Sequence, residues 1–399
     1  MPKRLASIDV FRALTMFFMI FVNDLWTLNH IPSWLDHVDA DVDGLGFADT
    51  IFPAFLFIVG LSLPLAIKNR EKAGDSRALI FYHVCIRSFS LITIGFFQVN
   101  MEEYSRLAIL NRTVFSLLLT LSFFLIWLDY PKDLKKYYKI LGQFSGIILL
   151  IVLAFLYKGG DRHHIIGLKP YWWGILGLIG WSYLLCSTVY VVFKGNIWAI
   201  FLSFIFLISF CILDHLDMLD FLDTIHKYFW LIGEGAEPAL VMAGVILSLI
   251  YSRLSQKNHE YRMIWVLMAS ALAVAAFGFF IRPIGGISKI YDTPSWVCIS
   301  LSISLVVYAF IIYLVDIKQK KDWFRIILPA GTSTLTCYLM PYIYYGLFSL
   351  ALANPWKLHI RLPLILRTGV PGLIKSMLFS LLIITLVGWL EKRKLRLKL

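Results

Sequence analysis

Twelve apolar runs, each long enough to cross a hydrocarbon core of roughly 30 Å, occupy most of this chain. They lie near residues 9–29, 49–67, 79–98, 113–130, 140–157, 171–193, 196–213, 228–251, 263–281, 295–315, 326–350 and 371–390. The spacing predicts eleven or twelve transmembrane helices; the two runs around Gly195 and the one ending near Leu350 are the least regular. The gaps between runs are on the order of 15–20 residues, well below the size at which a domain folds alone. Residues 1–399 therefore read as a single all-α, polytopic membrane helix bundle. Composition agrees: 59% of residues are hydrophobic, only 16% are charged and the mean hydropathy is +0.76, against about 25% charged residues in ordinary soluble domains.

Assigning the loops alternately to two sides gives twenty-three Lys and Arg on one and eleven on the other. Cationic loops stay in the cytoplasm, so both termini are expected there. The loop His30–Ala48, which has no Lys or Arg, is expected outside. The first apolar run lacks a small-residue cleavage site and continues into a charged, Trp-bearing segment, so it is expected to remain as a working helix. The net charge of +12 is spread over short loops and a basic tail. Anchoring against anionic membrane lipid accounts for it without a nucleic-acid partner. The five cysteines all fall inside apolar runs with no CxxC pair, which supports neither a disulfide framework nor a metal site.

Ionisable groups at membrane depth cost several kcal/mol and mark function by default. Asp9 and Arg12, three residues apart, share a helix face and can pair, or Arg12 can hold a phosphate. Asn23 and Asp24 follow about three turns later, with Asn23 aligned to the same inward face. Arg87, inside the third run, calls for an acid from the first, second or eighth. The outer loop reads WLDHVDADVDGLGFADTIF over residues 34–52. Its His37 can accept a proton near neutral pH or carry an acyl group, with Asp36, Asp39 and Asp49 close enough to orient its ring. Asp39-x-Asp41-x-Asp43-Gly44 matches the first half of a calcium loop, but the twelfth position is Thr50 rather than Glu and a membrane helix follows, so no metal is expected.

Further along, Pro53, Pro64 and Pro341 interrupt apolar runs. Gly233–Pro238, with Glu234 and Glu237 beside the break, reads as backbone facing a cavity. Arg282–Lys289 leads through Thr293-Pro-Ser-Trp296 into a helix, and Gly331–Thr336 opens another with hydroxyls that include Ser333. Both segments can cradle phosphate or sugar hydroxyls, or merely cap their helices. His163, His164 and His359 have no ligand spacing and are left unassigned.

With these residues in view, the chain resembles the transmembrane acyltransferase family of heparan-alpha-glucosaminide N-acetyltransferase and its bacterial relatives. The likeness rests on Arg4–Asn23 (RLASIDVFRALTMFFMIFVN), on His37 followed by Gly44, and on Ala48–Leu63 (ADTIFPAFLFIVGLSL). Weaker echoes occur at Gly233–Gly244, Ile287–Trp296 and Gly331–Tyr338. The resemblance implies transfer of an acetyl group from cytoplasmic acetyl-CoA, a co-substrate, to the amino group of a glucosamine-like acceptor or glycan across a bacterial cytoplasmic membrane. His37 inherits the role of general base or acyl carrier, with Asn23 and Asp49 positioned beside it. Asp9, Arg12, Asp24, Arg87, Glu237, Lys289, Trp296 and Ser333 are the candidate substrate- and co-substrate-binding residues. Two departures stand out: the interval from His37 to Asp49 is about two residues longer than the family pattern, and VDADVD replaces an expected Trp. A re-registered loop would put Asp39 at the catalytic depth. A secondary transporter for a sugar or its derivative is the alternative, because about twelve spans with broken helices suit that class too. A homo-oligomer is left open.

Overall fold

The computed structural model describes residues 6–131, 133–161, 164–255, 260–352 and 363–399. Among the residues weighed above, Lys3, Arg4, Lys132, Arg162, His163, Lys257, Lys357, His359 and Arg361 lie outside the described set. In chain order the helices are α1 (Ala6–Asp24), α2 (Ala48–Lys72), α3 (Arg77–Asn100), α4 (Arg112–Trp127), α5 (Lys136–Leu156), α6 (Ile175–Val192), α7 (Ile197–Asp214) and α8 (Asp223–His226). They continue as α9 (Ala236–Ser255), α10 (Glu260–Phe280), α11 (Pro294–Ile311), α12 (Leu328–Thr332), α13 (Thr334–Leu352) and α14 (Gly369–Lys392). A π-helical turn, Ile312–Ile317, prolongs α11. Two short antiparallel strands, β1 (Gly159–Gly160) and β2 (Ile165–Ile166), pair in the α5–α6 connection.

The protein is a multi-span helical bundle. Among the described residues, ten helical segments are long and apolar enough to cross a membrane, and Arg112–Trp127 is apolar but shorter. The run near 326–350 is divided at Ser333 into α12 and α13. The prolines do less than the sequence suggests: Pro53 and Pro64 lie within a continuous α2, and Pro341 within α13. The Gly233–Pro238 break is real. Gly233 and Gly235 take φ of 59° and 86°, and α9 begins only at Ala236.

α1 is a central element, packed by α2, α11, α12, α13 and α14. In lipid, apolar side chains gain little by leaving hydrocarbon, so close backbone approach has to supply the helix contacts. Gly60 of α2 and Gly244 of α9 provide it: a Cβ on either would fall on the other helix's backbone. α5 and α10 are the least buried of the long helices, as expected for staves on the lipid-facing side. Two ends of the bundle follow from this packing. The start of α1, the end of α2, α12 and the C-terminal tail share one end. The loop after α1, the start of α2 and the loop before α11 share the other.

Candidate functional site

The loop joining α1 to α2 is pinned at both ends of its acidic stretch. Phe47 N–H donates to the Trp34 carbonyl at 2.7 Å, and Gly44 N–H donates to Ile287 O at 3.1 Å. Asp43 accepts from Ile287 N–H at 2.7 Å and from Arg282 Nε at 3.0 Å, and these two donors hold its carboxyl below the usual carboxylate range. The aspartate that looked like part of a calcium loop thus fastens this loop to the one before α11. Asp39 is exposed.

Fastened in this way, the loop sets His37 against the first turn of α2. His37 Nδ1 lies 2.6 Å from Asp49 Oδ1, so the residue meeting Asp49 is His37 and the longer interval is absorbed without re-registering to Asp39. Asp49 is itself fixed: Val38 and Gly46 N–H groups donate to its other oxygen, each at 3.1 Å. Its side chain is 3% exposed and that of His37 is 43%. Gly46 has to be glycine here, since a Cβ would fall on the Asp36 carbonyl. Trp296, fully buried, donates from Nε1 to the Asp49 backbone carbonyl at 3.2 Å. Thr293 caps α11 by accepting from Trp296 N–H, which fixes the indole. Trp296 therefore supports the start of α2 and lies behind the dyad.

Lys289 completes the group. Its Nζ is 3.2 Å from His37 Nδ1 and 4.0 Å from Asp49 Oδ1. Burial holds its ammonium below the usual lysine range, against the pull of Asp49 and Asp292. Asp292 stands near Glu237 at the start of α9. Burial first, then the neighbouring Glu237 and Glu234, raises the Asp292 carboxyl well above its ordinary value. Sequence placed Glu237 and Lys289 among the candidates but gave no sign that Asp292 joins them.

At the opposite end of the bundle a cavity of about 600 Å³ opens between α1, α2, α3, α6, α12, α13 and the C-terminal tail. Asp9, Arg12, Ser62, Asn69, Arg87 and Lys398 supply polar groups to its lining. Arg12 pairs with Asp9 at 3.6 Å, donates to Gly331 O at 3.2 Å and bonds Ser62 Oγ. Arg87 meets no acid as its described partner; its guanidinium stacks 4.9 Å over the Tyr183 ring, which leaves its N–H edge for another acceptor. The cavity runs along α2 from Asn69 to Phe55, about 21 Å at 1.5 Å per residue, and Phe55 is about 9 Å along the axis from Asp49.

Three sequence candidates lie elsewhere. Asp24, 2% exposed, is bound by Lys375 Nζ at 2.6 Å, Ser376 Oγ at 2.5 Å and the Tyr345 hydroxyl. That cluster ties α1 to α13 and α14. Asn23 beside it is exposed rather than turned to the bundle interior, and no hydrogen bond among the described residues joins it to His37. Ser333, 2% exposed, sits at the α12–α13 break while Gly331, Thr332 and Thr334 line the cavity.

Residues 4–212 match a domain of unknown function, DUF5009. The chain belongs to that family. The DUF5009 segment contains Arg12, Asn23, His37, Asp49 and Arg87, whereas Glu237, Lys289, Trp296 and Ser333 lie beyond it. The chain is also similar to heparan-alpha-glucosaminide N-acetyltransferase of Homo sapiens, 36% identical over 104 residues, and of Mus musculus, 37% identical over 102 residues. Each alignment covers 25% of this chain and 14% of the relative, so the chain matches about a seventh of the length of either mammalian protein.

Proposed function

We propose that this protein is an integral-membrane acetyltransferase that moves an acetyl group from cytoplasmic acetyl-CoA to the amino group of a glucosamine-like sugar on the far side of a bacterial cytoplasmic membrane. The observation that carries this reading is the His37–Asp49 dyad standing at one end of the bundle above a polar-mouthed cavity that approaches it from the other. A cavity of this size suits an organic ligand, with a few placed polar groups fixing its orientation. Arg12 and Arg87 suit the phosphates of acetyl-CoA, and the apolar stretch past Met16, Met19 and Phe55 suits the pantetheine arm carrying the thioester.

Asp49 accepts the Nδ1 proton of His37, which fixes the tautomer and leaves Nε2 with its lone pair for chemistry. In direct transfer the acceptor nitrogen attacks the thioester carbonyl, the C–N bond forms, and Nε2 takes a proton from that nitrogen. The C–S bond then breaks, and the imidazolium returns the proton to the thiolate, giving CoA thiol. In the stepwise variant Nε2 attacks the thioester carbonyl and the C–S bond breaks to release CoA thiolate; the amine then attacks the acetyl-imidazole, the bond to Nε2 breaks, and the freed Nε2 takes the amine's proton and passes it to the thiolate. Similarity to the mammalian N-acetyltransferases supports the acyl group and the amino-sugar acceptor.

The test is purified protein with radiolabelled acetyl-CoA, with and without glucosamine, comparing wild type with His37→Ala. Labelled N-acetylglucosamine from wild type, and a loss of 10²-fold or more in the variant, is expected for removal of a general base. No CoA-dependent product across several amines, together with sugar flux into proteoliposomes lacking acetyl-CoA, would assign the protein to transport instead.

A further inference from the structure

Resting on the reading of His37 as the base, the inference concerns the cation that faces that imidazole and its buried carboxylate partner. Asp49 alone would favour the imidazolium, because an anion within hydrogen-bond reach stabilises the charged form, and a protonated His37 cannot accept the amine's proton. Lys289 faces the same ring nitrogen at 3.2 Å and the same carboxylate oxygen at 4.0 Å. It comes from the far side of the dyad, on the loop before α11.

The groups facing Lys289 can be named element by element. From the first loop and α2 come His37 and Asp49, with Asp43 and its partner Arg282 one step away at Ile287. From its own loop comes Asp292, which Glu234 and Glu237 at the start of α9 act on in turn. From the end of α7 come Cys211 and His215, whose Sγ and Nε2 meet the carbonyls of Asp292 and Tyr291, and Asp214, which acts on Glu234. Glu237 is 2% exposed. One of its carboxyl oxygens, Oε1, is buried with no hydrogen-bond partner among the described residues, and the Asp292 carboxyl stands close enough to act on it. Two ionised carboxylates buried side by side repel and have only acceptors to offer one another, so a proton on one of them relieves the pair.

We propose that Lys289 is a positioning residue that holds His37 as a neutral base, and that Glu237 and Asp292, sharing one proton and carrying one negative charge between them, hold Lys289 in place. Lys289 offsets the Asp49 charge at the ring, and the acid pair keeps the ammonium from collapsing onto Asp49 and displacing the imidazole. The raised Asp292 agrees with a proton held on that pair.

The experiment reads the protonation of His37 without depending on acetyl transfer. Diethyl pyrocarbonate acylates neutral imidazole; its rate at His37, followed against pH by peptide mass spectrometry on the purified full-length protein, gives the titration midpoint. Lys289→Met should raise that midpoint by about one pH unit, the lower end of the range for a charge at this distance because the site is partly open to solvent. Lys289→Arg, which keeps the charge, should leave it in place. Glu237→Gln and Asp292→Asn should each leave it in place, since either amide can donate to the remaining carboxylate and one negative charge survives. The double variant, with no charge left on the pair, should lower it as Lys289 moves onto Asp49. An unchanged midpoint in Lys289→Met, or single amide variants that each shift it as far as half the double, overturns the proposal. Should Lys289→Met not fold, Lys289→Gln removes the same charge with a polar side chain. Failure of the acetyltransferase reading shows separately, as absence of CoA-dependent product from wild type.

Discussion

Asp24 holds a carboxylate where water does not reach, and its partners explain how. Lys375 supplies the opposite charge, while Ser376 Oγ and the Tyr345 hydroxyl fill further acceptor sites. Removing one member of a buried pair leaves an uncompensated charge, which typically costs about 3–5 kcal/mol, whereas removing both costs much less. Lys375→Met is therefore expected to be markedly less heat-stable in detergent than wild type, and Asp24→Asn with Lys375→Met to recover part of the loss. Thermal unfolding of the three proteins checks the order. A Lys375→Met protein as stable as wild type would mean that the ion pair contributes nothing to stability. The cluster also shows what was legible at this scale. The i,i+3 spacing gave Asp9–Arg12, and the loop composition gave His37 near Asp49, because both pairings are local in sequence. Lys375, a lone cation inside an apolar run, was the available sign that Asp24 has a structural partner. Arg87 on Tyr183 and Lys289 on His37 are long-range approaches that only packing determines.

At the scale of elements, the entry to α9 shows how a backbone break gathers acids. Gly233 and Gly235 turn the chain with positive φ, placing Glu234 and Glu237 within reach of Asp214 and Asp292. Burial, then Glu237 and Asp214, pushes Glu234 up to about 8 from an ordinary 4.5. Between those values the folded protein keeps a proton that the unfolded chain has released, so folding is linked to proton uptake and stability falls as pH rises through this window. Below about 4.5 the penalty is absent, and above about 8 it is fully present. Glu234→Gln should flatten this dependence and unfold at a higher temperature than wild type at pH 8.5, with little difference at pH 4.5. Melting curves in detergent at several pH values decide it, and parallel curves for the two proteins would remove Glu234 as the cause. The sequence marked this break by its Gly, Glu and Pro content. Gly235 lies against α7 at Leu207 and Cys211, and neither Gly233–Pro238 nor Asp292 lines the 600 Å³ cavity.

For the whole molecule, the positions of helices were legible because an apolar run of the right length has one way to satisfy its backbone in lipid. Their arrangement around α1 was not, since glycine contacts such as Gly60 on Gly244 and the partition of ends depend on which faces meet. The charge asymmetry of the loops and the two ends of the bundle together make a prediction about sidedness. Asp41 lies in the loop that holds His37, while Lys72 ends α2 beside Asn69, which lines the cavity mouth. Both are exposed. In sealed, right-side-out vesicles, a membrane-impermeant thiol reagent should label Asp41→Cys and leave Lys72→Cys unlabelled until the vesicles are opened. The native cysteines lie within helices and four of the five are buried, so a variant lacking them is a feasible background. If acetyl-CoA enters at the Arg12–Arg87 end and the amino sugar at the His37 end, product should form only when donor is inside and acceptor outside. Labelling of both positions from one side would refute the topology, and product formation with both substrates outside would refute transfer through the bundle.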